Sequence, residues 1–209
     1  SGTHHITGHT AQFITGTARV NLAGLDVSRE TIERLKVYEA LLNKWNPAIN
    51  LVAHSTLAGA WQRHIVDSAQ IYGLAACDPE HWAALGSGGG FPGMVIAILA
   101  AEKLTPSWVS LVESDTRKCT FLRTVARETG VMVNIKNVRI EDCPPLKADV
   151  LSARALADLK TLLSFCDQHL SASGQALFLK GATWQKELED AQRSGRFDHQ
   201  VVKSKTDDG

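Results

Sequence analysis

Five glycines lie within the eight residues from Gly86 to Gly93, in a segment that runs Leu-Gly-Ser-Gly-Gly-Gly-Phe-Pro-Gly from Leu85. Glycines let a backbone turn sharply, and they let a ligand lie against main-chain N–H groups without meeting a Cβ. A short apolar run precedes the segment, and Pro92 suits the first position of a following helix. Because a tight turn needs fewer glycines, we predict a ligand-binding loop between a strand and a helix.

The glycine pattern does not by itself identify the ligand. Residues Gly88 to Gly93 fit the pattern G-x-G-x-x-G, which is compatible with a nicotinamide-dependent enzyme and with a methyltransferase. Glu113 ends the next apolar run, and an acidic side chain at that position accepts hydrogen bonds from two ribose hydroxyls of an adenosine. Glu113 fits both classes, and its alternative role is that of an ordinary exposed glutamate.

Two further segments could present polar groups to the same ligand. Arg139-Ile140-Glu141-Asp142 follows a predicted strand, where a loop can offer a backbone amide and an apolar side chain to an adenine. Arg154 ends another predicted strand, where an arginine can face a ligand carboxylate or a phosphate. The alternative for Arg154 is a surface salt bridge.

These segments require elements that bring them to one edge of the molecule. After Asp78-Pro79, short apolar runs alternate with amphipathic stretches. The predicted strands cover residues 82–85, 108–112, 131–135, 149–152 and 176–179, and the predicted helices cover residues 92–103, 115–129 and 157–170. This alternation is typical of an α/β protein with helices on both faces of a mostly parallel sheet. We therefore predict a doubly wound, Rossmann-like sheet over residues 79–209, with the candidate residues at its carboxyl edge.

Residues 27–78 form a predicted helical prelude, and with the sheet they make a single domain of residues 27–209. Ser28 is the expected N-cap of a helix whose apolar stripe reaches Trp45 and which is expected to end near Asn46-Pro47. A second helix is expected from Ser55 onward. Residues 1–26 are predicted to be a flexible N-terminal segment, and the last strand of the sheet is expected to be missing after residue 209.

Composition narrows the class of protein further. The 22 basic and 22 acidic residues cancel, so an RNA partner would have to bind a local basic patch. The longest apolar run covers residues 94–101, far less than the roughly 20 residues of a membrane-spanning helix, and no secretory signal is recognisable. The cysteines are scattered, and His4, His5 and His9 lie in the predicted flexible segment. We therefore expect a cytoplasmic protein with no membrane contact and no bound metal.

Several stretches of the chain are recognisable as a set. They are Leu41–Val52, Arg63–Ser68, Leu85–Gly93, Val112–Ser114 and Arg154-Ala155. In this order they closely resemble the glucose-inhibited division protein B family, the bacterial guanine-N7 methyltransferases of 16S ribosomal RNA. The resemblance runs from about residue 29 to residue 206. It implies a class I methyltransferase fold and transfer of a methyl group from S-adenosylmethionine to N7 of one guanine, in naked 16S RNA or in a 30S particle, by a monomeric enzyme.

The resemblance also implies positions for the cofactor contacts. They fall on Gly86, Ser87, Gly88 and Phe91 in the glycine loop, on Glu113 as the ribose-binding acid, on Ile140 and Glu141, and on Arg154. One departure is Ala84, where the family commonly has an aspartate that supports the loop. The resemblance also implies that Asn46, Asn50, Arg63, His64 and Asp67 fold back near the cofactor cleft. We interpret His64 and Asp67 as structural residues that hold the helical prelude on the core.

Methylation of guanine N7 requires alignment and desolvation and no proton removal, because the ring nitrogen carries an available lone pair. Accordingly no catalytic residue is predicted, and no Ser/His/Asp or Cys/His arrangement is recognisable. For contacts with the RNA backbone we nominate Arg117, Lys118, Arg123 and Arg127 on one helix and Lys180 at a strand end. The alternative for that helix is a solvated face. Two other functions stay open: a NAD-dependent oxidoreductase, and a non-catalytic cofactor- or RNA-binding protein, which Ala84 keeps under consideration.

Overall fold

The computed structural model describes residues 18–76 and 78–206. The described chain begins with an antiparallel hairpin of β1 (Arg19–Leu22) and β2 (Leu25–Ser28). The long helix α1 (Arg29–Ile49) follows, and then a 3₁₀ helix (His54–Gly59), a π-helical segment (Trp61–Val66) and the short helix α2 (Asp67–Tyr72). Most of the described residues between Arg29 and Tyr72 are therefore helical.

A five-stranded sheet forms the centre of the fold, and all its strands run parallel. Its strands are β3 (His81–Leu85), β4 (Trp108–Glu113), β5 (Asn134–Asn137), β6 (Ala148–Arg154) and β7 (Leu170–Leu179). They lie in the order β5-β4-β3-β6-β7. The strand order reverses at β3, which pairs with β4 on one side and with β6 on the other. In doubly wound sheets a ligand crevice opens at this reversal, outside the carboxyl ends of the strands.

Helices cover both faces of the sheet, as the alternating sequence pattern predicts. The remaining helices are α3 (Gly93–Lys103), α4 (Thr116–Thr129), α5 (Leu159–His169) and α6 (Trp184–Ser194). Helices α1, α3 and α4 contact one another, and α5 contacts α6, β6 and β7. Successive residues of β3 alternate between two apolar clusters: Trp82 and Ala84 belong to one, and Ala83 and Leu85 to the other. A strand that is buried on both faces is expected to be nearly continuously apolar, which β3 is from Trp82 to Leu85.

Element boundaries differ from the sequence predictions in several places. Helix α1 continues through Pro47 to Ile49, because a proline in the last turn removes one N–H donor without preventing the final turn. The helix ends at Asn50, which adopts φ 48° and donates its N–H to the carbonyl of Asn46. Strand β5 begins at Asn134, three residues later than predicted, and helix α6 was not predicted.

The prediction of a flexible segment through residue 26 is wrong for the hairpin residues. Glu102 of α3 joins the hairpin and the start of α1 to the core: it accepts hydrogen bonds from Thr31 Oγ1 (2.5 Å), the Ser28 N–H (3.0 Å) and Arg19 Nη1 (2.7 Å). Burial raises the pKa of Glu102, but the bonds from Thr31, Ser28 and Arg19 outweigh this and lower it to about 2. Residues 1–17, including His4, His5 and His9, lie outside the described residues.

Replacing Glu102 by glutamine is expected to lower the free energy of unfolding at pH 7 by about 1–3 kcal/mol, the scale of hydrogen bonds to a charged group. Because the folded-state pKa of Glu102 is depressed from 4.5 to about 2, its contribution is complete above pH 4.5 and is lost as the pH falls towards 2. The difference between wild type and Glu102→Gln should therefore shrink when urea unfolding is repeated at pH 3. Glu33→Gln is the control, because Glu33 is exposed and, among residues 18–76 and 78–206, forms an ion pair only with Lys36. An equal difference at both pH values would contradict the assigned pKa.

Candidate active site

A cleft of about 730 Å³ opens at the carboxyl ends of β3, β4 and β6. Its walls come from the segments 51–56, 86–91, 112–114, 138–141 and 154–157. All eight residues predicted to contact a cofactor line this one cleft: Gly86, Ser87, Gly88, Phe91, Glu113, Ile140, Glu141 and Arg154. The cleft is thus where the parallel topology was expected to bring them.

The glycine loop adopts conformations that other residues rarely adopt. Gly86 has φ 57° and Gly90 has φ 97°, both in the left-handed region. A Cβ on Gly90 would lie 2.4 Å from the hydroxyl oxygen of Tyr38, whose hydroxyl donates to the carbonyl of Gly89. A Cβ on Gly86 would lie 2.4 Å from a methyl carbon of Leu156. The glycines therefore permit both the turn and the close packing of α1 and the 154–157 segment around it.

Glu113 is buried at the end of β4, with 8 % of its surface exposed, so the alternative of an ordinary exposed glutamate is excluded. Its Oε2 accepts the N–H of Gly88 at 2.6 Å, and its Oε1 accepts the N–H of Asp115 at 2.9 Å. Asp115 in turn caps α4 by accepting the N–H groups of Arg117 and Lys118. The carboxylate therefore ties the glycine loop to the start of α4, and each oxygen retains acceptor capacity for a ligand hydroxyl.

Arg154 does not form the surface salt bridge that was its alternative role. Its Nη2 donates to His64 Nδ1 at 2.7 Å and to the carbonyl of Arg63 at 3.2 Å, and its guanidinium carbon lies 5.8 Å from the ring centroid of Phe91. Its Nη1 is buried without a hydrogen-bond partner. Within residues 18–76 and 78–206, Arg154 forms no ion pair. An unneutralised, half-buried cation in a cleft favours an anionic ligand group.

His64 lines the cleft as well, and its two ring nitrogens have different partners. Nε2 lies 2.8 Å from Thr56 Oγ1, which donates its own proton to the carbonyl of Ala53, so the ring nitrogen is the donor to Thr56. Nδ1 is then the acceptor for Arg154. Burial, followed by the charge of Arg154, lowers the pKa of His64 to about 4, so the imidazole is neutral at pH 7. The ring also packs against Phe91, with centroids 5.1 Å apart and the ring planes tilted by 30°.

The prelude contributes a wall of the cleft through the loop after α1. Asn46 is buried, and its Oδ1 accepts the N–H groups of Leu51 (2.8 Å) and Val52 (2.9 Å). This bond pattern holds residues 51–53 beside the glycine loop. The side chains of His64 and Asp67 do not bond to each other, although the Asp67 N–H donates to the His64 carbonyl. The Asp67 carboxylate accepts from Ser204 and Thr206, whereas His64 joins the prelude to Arg154 of β6 and also lines the cleft.

The nominated RNA contacts occupy two different environments. Lys118 lines the cleft, whereas Arg117, Arg123 and Arg127 are exposed on the outer face of α4. Lys180 is already engaged, because its ammonium pairs with Glu187 at 2.5 Å and donates to the carbonyl of Ala157 at 2.8 Å. Lys180 thus supports the 154–157 wall, and a phosphate would have to compete with Glu187 for its charge.

Some lining residues were not predicted from the sequence to belong to the site. They are Leu51, Val52, Ala53 and Thr56 from the prelude, and Leu156, Thr161 and Phe165 from the chain after β6.

Ala84, the position of the family's aspartate, is buried, and its Cβ lies 2.6 Å from where a Cβ on Gly93 would stand. The loop here has other supports, since Ser87 donates its hydroxyl to the carbonyl of Ala84 and its N–H to that of Val112.

The strand order, the glycine loop after β3 and the acid at the end of β4 define a Rossmann-like fold, which class I methyltransferases share with nicotinamide-dependent enzymes. The TehB-like SAM-dependent methyltransferase from Corynebacterium glutamicum has a similar fold, with a TM-score of 0.50 at 16% sequence identity, over 76% of this chain and 83% of that chain.

Sequence comparison gives the particular family. The family model described as rRNA small subunit methyltransferase G matches residues 31–207. A protein named ribosomal RNA small subunit methyltransferase G from Ruegeria sp. (strain TM1040) is 52% identical over 185 residues, which cover 88% of this chain and 90% of that protein. Its namesake from Rhodospirillum centenum is 48% identical over 185 residues, 88% of this chain and 83% of that protein. The chain belongs to this family, which is the one predicted from the sequence, and a methyltransferase is thereby favoured over a nicotinamide enzyme.

Proposed function

We propose that this protein transfers the methyl group of S-adenosylmethionine to N7 of a guanine in 16S ribosomal RNA. The observation that carries the proposal is the convergence of all eight predicted cofactor residues on one cleft, in a chain of this family. Relatives that share about half of its residues are named ribosomal RNA small subunit methyltransferase G.

The cleft offers a suitable partner for each part of the cofactor. Glu113 has acceptor oxygens for the two ribose hydroxyls, and Ile140 with Glu141 forms the neighbouring wall for the adenine. Arg154 supplies an uncompensated positive charge for the carboxylate of the methionine part. Gly88 leaves room for a ligand beside the loop backbone, because a Cβ there would meet only the carbonyl oxygen of Gly86, at 3.8 Å. We assign these residues as the cofactor site.

The cofactor supplies a methyl group on a sulfonium, which is a strong electrophile. Glu113, Ile140, Glu141 and Arg154 would hold the cofactor, and its methyl group would be available for transfer to the lone pair of guanine N7. No proton leaves N7, so the protein needs no general base and acts by alignment and exclusion of water. The pKa of His64, lowered to about 4, makes its imidazole a poor proton acceptor at pH 7. This is compatible with a reaction in which no group has to accept a proton.

The RNA would approach the cleft along α4. Lys118 lies at the cleft itself, and Arg117, Arg123 and Arg127 extend the positive charge along the exposed face of the same helix. We propose that the protein acts as a monomer, on 16S RNA or on a 30S particle, in the cytoplasm. No helix among the described residues has the length and apolar character needed to cross a membrane.

The test is a methylation assay with radiolabelled cofactor on 30S particles from cells that lack the modification, and on the naked 16S RNA extracted from them. We expect label in one guanine, detected by cleavage at 7-methylguanosine, and no label on particles that already carry the modification. Glu113→Ala should abolish most of the incorporation. Absence of label on both substrates, with cofactor binding intact, would favour the non-catalytic alternative.

A further inference from the structure

The environment of Arg154 poses a physical question about how its charge is held. A guanidinium in a partly buried cleft usually pairs with a carboxylate, because an isolated buried charge is costly. Here its contacts are the imidazole of His64, the carbonyl of Arg63 and the face of Phe91, all of which are uncharged partners. The carboxylate of Asp67 acts on Arg154 through its charge, but it forms its hydrogen bonds with Ser204 and Thr206. Nothing in this arrangement neutralises the arginine.

His64 is held so that it can only accept a hydrogen bond from Arg154. Thr56 Oγ1 accepts a hydrogen bond from the Nε2–H of His64, because the hydroxyl of Thr56 already donates to the carbonyl of Ala53. Phe91 packs against the imidazole ring at 5.1 Å, and Phe91 is itself stacked on Tyr38 at 5.1 Å. The tautomer and the orientation of the ring are therefore both fixed by neighbours, and neither depends on Arg154.

A neutral acceptor suits an arginine that has to bind an anion. An aspartate or glutamate in place of His64 would orient the guanidinium but would also neutralise it, and a ligand carboxylate would then gain little. A protonated imidazole would repel the guanidinium and would have no lone pair on Nδ1 for it. A neutral imidazole orients one N–H of Arg154 and leaves the positive charge for the ligand.

We propose that His64 is a positioning residue, which accepts a guanidinium N–H through Nδ1 and holds Arg154 with its charge directed to the carboxylate of the cofactor's methionine part. The inference rests on the proposed function, because the role of Arg154 towards that carboxylate is part of the proposed cofactor site. It adds a residue from the helical prelude to the recognition of the cofactor.

Two ligands separate this role from a general structural one. S-adenosylhomocysteine carries the amino-acid carboxylate, whereas 5′-methylthioadenosine has the same nucleoside and sulfur without it. Calorimetry on the full chain should show that His64→Leu weakens S-adenosylhomocysteine binding by about 10-fold, the size of one hydrogen bond to a charged group. Binding of 5′-methylthioadenosine should change by less than about 2-fold on the same physical ground, since that ligand has no carboxylate. His64→Asn, whose Oδ1 can replace Nδ1 as acceptor, should restore most of the lost affinity.

A double-mutant cycle with Arg154→Ala completes the experiment. We expect Arg154→Ala to show the same ligand selectivity, and the double variant to bind no more weakly than Arg154→Ala alone. If His64→Leu weakens both ligands equally, or if His64→Asn is as impaired as His64→Leu, the positioning role is overturned. If Arg154→Ala itself fails to discriminate between the ligands, the proposed site for the carboxylate is wrong and the inference falls with it. Selectivity in Arg154→Ala without selectivity in His64→Leu would overturn the inference alone.

Discussion

Replacing Glu113 by alanine is expected to weaken binding of S-adenosylmethionine and of S-adenosylhomocysteine by about 1.5–3 kcal/mol, or roughly 10- to 150-fold. The carboxylate is buried at the cleft and accepts the N–H groups of Gly88 and Asp115, one on each oxygen. Its removal therefore takes away the ribose acceptors and also one support of the glycine loop. Isothermal titration calorimetry measures the loss, and NAD should give no binding signal with either protein.

The two consequences of the Glu113 substitution can be separated with ligand analogues. If Glu113 accepts both ribose hydroxyls, the wild-type protein should bind adenosine more tightly than its 2′-deoxy or 3′-deoxy forms, and Glu113→Ala should bind all three alike. Ser114→Ala is the matched control, because Ser114 lines the same cleft at the next position but is exposed. Glutamine is a poor control, since its amide NH₂ would face one of the two backbone donors. Unchanged cofactor affinity in Glu113→Ala would remove this residue from the site.

Replacing Arg123 and Arg127 together by alanine is expected to weaken RNA binding and to reduce its salt dependence. If each arginine contacts one phosphate of single-stranded RNA, the log–log slope should fall in magnitude by up to about 1.4, from roughly 0.7 per contact. Arg127 pairs only with Glu128 in the described structure, and both side chains are exposed, so this weak pair leaves the arginine available. Filter binding of 16S RNA over a range of salt concentrations measures the slope.

The control for this double variant has to remove the same net charge elsewhere. Lys36 and Arg193 are exposed, on α1 and α6 respectively, so their joint replacement by alanine also removes two positive charges. That variant should keep the wild-type salt slope, and both double variants should keep wild-type affinity for the cofactor. Equal slopes for wild type and the Arg123/Arg127 variant would place the RNA surface elsewhere, with the prelude around Lys44 and Arg63 as the next region to test.

Within the described residues, the sequence was sufficient for the parts of the site that follow local rules. The glycine loop, Glu113 and Arg154 each stand at the end of a strand whose apolar run is recognisable, and parallel strands bring their carboxyl ends to the same edge. The cleft opens at that edge, and the individual cofactor positions that line it were implied by the family resemblance. The N-cap of α1 was likewise predicted, from Ser28.

The tertiary structure decided which partner each polar group takes. His64 meets Arg154 across 90 residues of chain, and Glu102 meets Thr31 across 71. Lys180 forms an ion pair with Glu187 of α6. Glu187 reaches the chain beside the 154–157 wall because α6 packs beside α5, where Glu187 accepts the N–H of Leu159. Periodicity and capping rules describe neighbours within about one helical turn or one strand, so they carry no information about contacts between distant elements. Whether a charged side chain is free for a ligand depends on those distant contacts, because they determine its burial and its counterion.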